Sequence, residues 1–159
     1  MRIVGIDPGL RCTGYGIIDI KGKQPVVVQF GTIRTNSNDS FAHRLQTVYD
    51  DVAEVLDQYT PTEYAIEEAF YSKNARTALQ LGHVRGVAML AAVHEGIPVT
   101  EYSAKKIKLA ITGRGGASKE QVQFMVTRLL KLREPPEPID ASDALACALC
   151  HHQQIQLEV

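Results

Sequence analysis

Acidic residues at three separate places in the chain have the types and spacing to do chemistry together. Asp7 ends a first run of aliphatic residues, Glu67 ends a second, and Asp140 and Asp143 stand three positions apart. An ionised Asp at the end of a buried strand is costly unless a positive charge neutralises it. Residues spaced i, i+3 share one face of a helix. If the fold gathers these acids, they form the oxygen-rich site that Mg²⁺ prefers, and the metal supplies the missing positive charge.

Five strands are predicted from the apolar pattern. Short β-branched runs separated by Gly or Pro indicate strands, and the first three are spaced as an antiparallel meander. The last two flank a long helical stretch, which is typical of a parallel crossover. The predicted strands are residues 2–7, 13–20, 25–35, 64–67 and 99–102.

Four helices are predicted from capping residues and amphipathic spacing. The first helix is capped by Asp39 or Ser40 and ends before Pro61, and the second covers residues 75–95. The third is capped by the Ser118 and Gln121 pair, and the fourth starts near Asp140.

This order of elements describes an α/β, ribonuclease H-like fold. Its sheet is mixed and five-stranded, with three antiparallel strands and then two parallel strands, and helices flank it. In that topology the first and fourth strands are parallel neighbours. Asp7 and Glu67 are therefore expected side by side at one edge of the sheet.

Length and composition predict one soluble domain over residues 1–159. An apolar content of 45% in 159 residues is enough for a sizeable core. No run approaches the roughly 18 apolar residues of a membrane span, and the chain starts on a strand rather than a signal segment. Three cysteines without disulfide spacing fit a reducing compartment, so the expected location is cytoplasmic, with no membrane partner.

Charge is segregated along the chain although the net charge is only -1. Residues 70–133 carry 11 basic and 3 acidic residues, a balance of +8, whereas residues 1–69 and 134–159 carry -4 and -5. Binding to a polyanion depends on local rather than net charge, so this segment is a candidate polyanion-binding face, although a solvated surface explains it as well. Its candidate contact residues include Lys73, Arg76, Lys105 and Arg114.

Several of these features also have structural explanations. Asp7 followed by Pro and Gly is ordinary turn chemistry, and Asp140 and Asp143 suit the start of a helix because its dipole favours acids there. Residues 147–151 match a haem-attachment pattern and could ligate zinc, but they fall in a predicted helix and no partner pair appears elsewhere. Residues 113–119 suggest a phosphate loop but lack the Walker spacing, so a DNA-facing loop or a plain turn is expected.

A series of short motifs runs through nearly the whole chain: GIDPGL, TGYG, AIE, the KNA run, LGxxRG, EY, KLR and DASDALA. With these motifs the chain resembles the RuvC family of Holliday junction endonucleases. The resemblance implies that Phe70 stacks on a base at the strand crossover and that Lys108 and Lys119 contact phosphates near the scissile bond. It also implies four acids that hold metal ions. The matching positions here are Asp7, Glu67, Asp140 and Asp143.

The resemblance further implies paired, metal-dependent cleavage of four-way junction DNA in recombination and repair. Two Mg²⁺ ions per subunit, with Mn²⁺ able to replace them, would hydrolyse the phosphodiester and leave 5'-phosphate and 3'-hydroxyl ends. The implied partners are a second copy of the chain and the branch-migration proteins RuvA and RuvB.

The helix at residues 75–95 independently predicts a homodimer, because it is apolar on two sides. One side covers the sheet and the other needs a partner, which a two-fold dimer would supply. The first face consists of Leu79, Gly82, Gly86, Met89, Leu90 and Val93. The second consists of Leu81, Val84, Ala88 and Ala92.

Three other functions remain as alternatives. A kinase or ATPase of the actin type shares the Asp-x-Gly strand end but needs two such domains and a longer chain. A non-catalytic junction-binding module would keep the basic segment but has no need of four acids. Another ribonuclease H-like nuclease, acting on RNA-DNA hybrids or pre-ribosomal RNA, stays within the same class of enzyme, and nuclease assays on a junction, a duplex and a hybrid would distinguish it.

Phe70 gives a prediction that separates base stacking from a place in the core. If its ring stacks on an unpaired base, a contact worth about 1 to 3 kcal/mol, Phe70→Ala should lose junction processing while Phe70→Tyr keeps most of it. The melting temperature of Phe70→Ala should then stay close to that of the wild type. A core phenylalanine would instead show itself as a drop of several degrees in the melting temperature, measured by calorimetry.

Overall fold

The computed structural model describes residues 1–68 and 73–157, and within them the chain forms a five-stranded sheet with helices on both faces. In space the strands run in the order β3-β2-β1-β4-β5. Their bounds are β1 Arg2–Asp7, β2 Cys12–Lys21, β3 Gln24–Arg34, β4 Glu63–Glu67 and β5 Val99–Tyr102.

The pairing directions confirm the predicted ribonuclease H-like topology. The pairs β1 with β2 and β2 with β3 are antiparallel, whereas β1 with β4 and β4 with β5 are parallel. Ile6 of β1 is in register with Ile66 of β4, so the next residues, Asp7 and Glu67, end the two strands at the same level. The carboxyl ends of parallel strands are the edge where α/β sheets place their sites.

Five helices flank this sheet within the described residues, one more than predicted. They are α1 Phe41–Tyr59, α2 Ala75–His94, α3 Ala104–Thr112, α4 Lys119–Leu129 and α5 Ile139–Leu157. No helix in the described ranges has the length and apolar character that a membrane crossing requires.

The prediction of only two helices after β5 was wrong, because α3 follows that strand almost at once. Ser103 caps it by accepting a hydrogen bond from the Lys106 backbone N–H at 3.2 Å. Ile107 and Ile111, one turn apart, are its buried residues. The stretch is short and rich in lysine, so its amphipathic signal spans only two turns and is weak in the sequence.

Other predicted helix starts are confirmed by their caps. Ser40 accepts a hydrogen bond from the His43 backbone N–H at 3.2 Å and is the N-cap of α1. Ser118 and Gln121 form a reciprocal capping box at α4. Such caps satisfy backbone groups that a helix end leaves unpaired.

The sheet separates two apolar cores, because neighbouring residues of a strand point to opposite faces. Ile3 and Ala65 belong to the core that α3, α4 and α5 cover. Val4 and Ile66 belong to the core that α1 and α2 cover.

Helix α5 lies against β1 and β2 at a distance that only glycine permits. A Cβ added to Gly5 would come within 2.1 Å of the Ala144 carbonyl oxygen, and one added to Gly14 within 2.0 Å of the Asp140 carbonyl oxygen. No real side chain tolerates such contacts, so these glycines set the height of α5 above the sheet. The acids near the start of α5 are thereby brought down to the strand ends.

The two faces of α2 differ in burial. Val84, Ala88 and Ala92 are fully buried in the core that lies between the sheet and helices α1 and α2. On the opposite face Leu79 is 66% exposed and Val93 61% exposed. The sequence left open which face covers the sheet, and the structure assigns that role to the second set.

Candidate active site

Three of the four predicted acids line one cleft at the carboxyl edge of the sheet. Asp7 ends β1, Glu67 ends β4, and Asp143 lies near the start of α5. The cleft has a volume of about 250 Å³, and Lys108 of α3 and Lys119 of α4 line it together with these carboxylates. Apolar side chains from α3, α4 and α5 complete its wall.

Asp140, the fourth predicted acid, lies beside this cleft and is not among the residues that line it. It is close enough to interact electrostatically with both Asp7 and Asp143. Its carboxylate also faces Cys12 of β2, where burial and then Asp140 raise the pKa of the thiol. The start of α5 therefore places Asp143 in the lining of the cleft and Asp140 at its side.

Burial and mutual repulsion make the carboxylates of the cleft poor acids. Burial, with Glu67 and Asp143 as neighbouring negative charges, raises the pKa of Asp7 to about 8. Burial and the Asp143 charge also raise the pKa of Glu67, and burial raises the pKa of Asp143. Each group would release its proton more readily if a cation lay among them.

Lys119 is the cation in direct contact with this acidic group. Its Nζ donates a hydrogen bond to Asp143 Oδ2 at 3.0 Å. Although burial acts to lower it, this contact raises the pKa of Lys119, so the side chain stays charged. Lys108 adds a second positive charge that favours ionised Glu67 and Asp143.

Among the predicted DNA contacts that the structure describes, only Lys108 and Lys119 reach the cleft lining. Lys73 and Arg76 are exposed at the start of α2, Lys105 is exposed on α3, and Arg114 is exposed in the loop after α3. These four are placed on the surface of the basic segment rather than at the strand ends. Phe70 lies outside the described residues.

The loop between α3 and α4 runs from the C-cap of one helix to the N-cap of the next. Gly113 ends α3 with a positive φ of 74°, and Ser118 begins α4. Gly115 packs against Lys105, whose Cγ lies 2.9 Å from the position of an added Cβ. This loop delivers Lys119 to the cleft as the first residue of α4.

The Cys and His residues near the end of α5 belong to the core. Cys147 and Cys150 are free and buried. His151 Nδ1 lies 2.8 Å from the Tyr102 hydroxyl, and its Nε2 lies 3.3 Å from Glu63 Oε2. The ring is therefore held by hydrogen-bonding partners on β4 and β5, which is the arrangement of a structural histidine.

Arg85 of α2 contacts the site and was not among the predicted site residues. Its Nε donates a hydrogen bond to the Glu67 backbone carbonyl at 2.9 Å, and its guanidinium also pairs with Glu101 of β5. The LGxxRG motif contains this arginine and was the feature of the sequence that could have marked it as a site residue. Its carbonyl partner is set by tertiary structure, which the motif does not reveal.

The donor set of the cleft fits a hard divalent cation. Carboxylates are the oxygen ligands that Mg²⁺ and Mn²⁺ take in proteins, and here their raised pKa values show that positive charge among them is favourable. Within residues 1–68 and 73–157, no three Asp, Glu, His or Cys residues are already arranged to hold a metal ion. Ligation would therefore require side-chain adjustment.

Comparisons with known proteins agree on one family. The family model described as crossover junction endodeoxyribonuclease RuvC matches residues 3–151. The crossover junction endodeoxyribonuclease RuvC of Pelobacter propionicus is 51% identical over 151 residues, which are 95% of this chain and 85% of that protein. The RuvC of Syntrophotalea carbinolica is 52% identical over 95% of this chain and 93% of its own length.

A solved structure shows the same similarity in three dimensions. Thermus thermophilus RuvC in complex with Holliday junction substrate superposes with a TM-score of 0.93 at 33% identity. The match covers 99% of this chain and 96% of that one.

The raised pKa of Asp7 predicts how stability depends on pH in the absence of metal. Between about pH 4 and pH 8 the folded carboxyl holds a proton that the unfolded chain releases, so rising pH destabilises the fold across this window. Asp7→Asn, which has no such charge, should melt several degrees above the wild type at pH 8 in EDTA. Calorimetry at intervals from pH 8 to pH 5 should show this difference shrinking. An equal melting temperature at pH 8, or a difference independent of pH, would contradict the burial of an ionising Asp7.

Proposed function

Because the chain belongs to the RuvC family of crossover junction endodeoxyribonucleases, we propose that it resolves Holliday junctions by metal-dependent hydrolysis at the carboxylate cleft. The single observation that carries this proposal is the meeting of Asp7, Glu67 and Asp143 in one cleft with Lys108 and Lys119. Acids from β1, β4 and α5 converge there from positions far apart in the sequence. The hydrolysis would leave 5'-phosphate and 3'-hydroxyl ends.

Asp7, Glu67 and Asp143 would hold the metal directly, with Asp140 joining them from the side of the cleft. The family resemblance implies two Mg²⁺ ions per subunit, which Mn²⁺ can replace. When bound, such ions lower the pKa of a coordinated water and polarise the phosphodiester that it attacks. The carboxylates themselves would mainly position the ions.

The two lysines of the cleft would act on the substrate phosphate. Lys119 is charged and held at the cleft wall by Asp143, and Lys108 faces it from α3. A preorganised ammonium group stabilises negative charge that grows on phosphate oxygens, because it needs no reorientation during the reaction. The exposed residues Lys73, Arg76 and Lys105 of the basic segment would bind more distant phosphates, with Arg114 and, by resemblance, the stacking ring of Phe70.

We also propose a homodimer formed through the outward face of α2. Leu79, Leu90 and Val93 are exposed on that face, and nothing lies within 4 Å of a Cβ added to Gly82 or Gly86. Apolar side chains around open glycines allow two helices to approach closely. A two-fold dimer presents two equivalent clefts, which suits a junction with two equivalent strands to cut.

The other proposed partners follow from the family. Branch-migration proteins RuvA and RuvB would act with this chain on the same junction, and the expected compartment is the bacterial cytoplasm, where the DNA lies. Neither proposal depends on the geometry of the cleft.

The central test is to remove metal ligands while keeping side-chain size. Asp7→Asn or Glu67→Gln should reduce junction cleavage in Mg²⁺ to below a few per cent, because each loses a ligand charge. Junction binding, measured by gel shift without metal, should be unchanged or slightly tighter because repulsion toward phosphate falls. Glu68→Gln is the matched control, since Glu68 is the exposed neighbour of Glu67, and it should cut normally.

Substrate choice is tested with the same proteins. The wild type should cut a four-way junction in preference to a plain duplex or an RNA-DNA hybrid. Preferential cutting of the hybrid would assign the chain to a different nuclease activity of this fold. Wild-type rates for Asp7→Asn or Glu67→Gln would remove that residue from the site.

The dimer proposal predicts that one charge on the exposed face of α2 separates the subunits. Light scattering of the wild type should report about twice the chain mass of 17.5 kDa. Leu90→Asp should report a folded monomer, because an unpaired carboxylate cannot be buried between two helices. Leu109→Asp, at an exposed leucine of α3, should remain dimeric. A wild-type monomer at micromolar concentration, both free and on junction DNA, would contradict the dimer.

A further inference from the structure

Arg85 joins the inner side of α2 to the ends of two strands. Its Nε donates to the Glu67 carbonyl oxygen at 2.9 Å, and its Nη2 pairs with the Glu101 carboxylate. The side chain is only 13% exposed. A guanidinium is costly to bury unless its donors are used, and here a carbonyl of β4 and a carboxylate of β5 use them.

The position of this hydrogen bond matters because Glu67 is the last residue of a short strand. Strand β4 has five residues and β5 has four. The Glu67 carbonyl and the Glu67 carboxylate share one Cα, so fixing the carbonyl also fixes the point from which the carboxylate reaches into the cleft. The Glu68 backbone N–H, bonded to the Tyr102 carbonyl at 2.8 Å, ties the same strand end to β5.

We propose that Arg85 is a positioning residue for the Glu67 carboxylate, because it ties the end of β4 and Glu101 of β5 to α2. The inference rests on the proposed role of Glu67 as a metal ligand. Arg85 does not line the cleft; it acts through the backbone of the residue that does. Groups that orient a metal ligand in this way typically change metal affinity by about 10- to 100-fold when they are removed.

Charge is the competing explanation for any effect of Arg85. Its positive charge, like those of Lys119 and Lys108, favours the ionised form of Glu67. A lysine keeps this charge but lacks the planar set of donors that reaches the carbonyl and Glu101 together. Arg85→Lys therefore separates positioning from charge.

Arg2 offers a matched control far from the cleft. Its Nη1 donates to the Tyr59 carbonyl at 2.6 Å, and its Nε pairs with Asp19 at 2.7 Å. It thus makes the same two kinds of contact, one to a backbone carbonyl and one to a carboxylate. Loss of Arg2 should cost stability without touching the metal ligands.

The experiment compares Arg85→Gln, Arg85→Lys, Arg2→Gln and Glu67→Gln as full-length proteins. Calorimetric titration with Mn²⁺ measures metal binding directly, scanning calorimetry in EDTA gives the melting temperature, and light scattering checks the oligomeric state. Mg²⁺ dependence of single-turnover junction cleavage is measured beside them.

Both Arg85 variants should bind Mn²⁺ at least about 10-fold more weakly than the wild type. Their cleavage should recover in part at high Mg²⁺, while gel-shift binding to the junction without metal stays unchanged. Arg2→Gln should lower the melting temperature and keep the wild-type Mn²⁺ affinity. Glu67→Gln should lose both metal affinity and cleavage at every Mg²⁺ concentration.

Three results would overturn the positioning role, each for a different reason. Wild-type Mn²⁺ affinity in both Arg85 variants, with Glu67→Gln inactive, would leave Arg85 a purely structural tie. Wild-type affinity in Arg85→Lys alone would assign the effect to charge. Wild-type metal binding and cleavage in Glu67→Gln would overturn the proposed role of Glu67 itself, and the positioning inference with it.

Discussion

The close contact between α5 and the sheet is the constraint on which the rest of the site depends. Gly5 and Gly14 leave no room for side chains beneath the helix, and the backbone of α5 occupies that space. A larger residue there would lift the helix and carry Asp143 away from Asp7 and Glu67. The apolar packing of α5 against β1 and β2 thus determines the distance between acids that repel one another.

That repulsion has a cost, and the cleft offsets it with positive charge from several elements. Burial alone opposes ionisation of Asp7, and Glu67 and Asp143 add to the effect. The positive charges of Lys119 on α4 and Lys108 on α3 favour the ionised forms of Glu67 and Asp143. Because the fold holds these carboxylates together without metal, a cation bound among them would relieve their repulsion. Metal binding is therefore linked to the stability of the fold.

Strand order made the central pair of acids predictable. Once the sequence indicated a meander followed by a parallel crossover, Asp7 and Glu67 had to end neighbouring parallel strands, and they do. The i, i+3 spacing also correctly placed Asp140 and Asp143 near the start of one helix. The spacing could not show that Asp143 lines the cleft while Asp140 does not. That difference depends on the rotation of α5 about its axis, which is set by packing.

Features that depend on contacts between distant segments were harder to predict. Helix α3 is short, so its two buried isoleucines, Ile107 and Ile111, gave too little periodicity. The outward face of α2 could not be chosen because both faces are apolar in sequence. Arg85 was missed since its partner is a backbone carbonyl, which has the same chemistry at every residue.

The sheet keeps the two proposed tasks of the protein on opposite sides. The core under α3, α4 and α5 supports the cleft, while the core under α1 and α2 supports the exposed face proposed for the dimer. A residue on one side of the sheet can contact the other side where its element passes the edge of the sheet. Arg85 does so at the carboxyl edge, because it starts on α2 and ends at the carbonyl of Glu67. The helix proposed to join two subunits is therefore also bonded to the strand end that carries a proposed metal ligand.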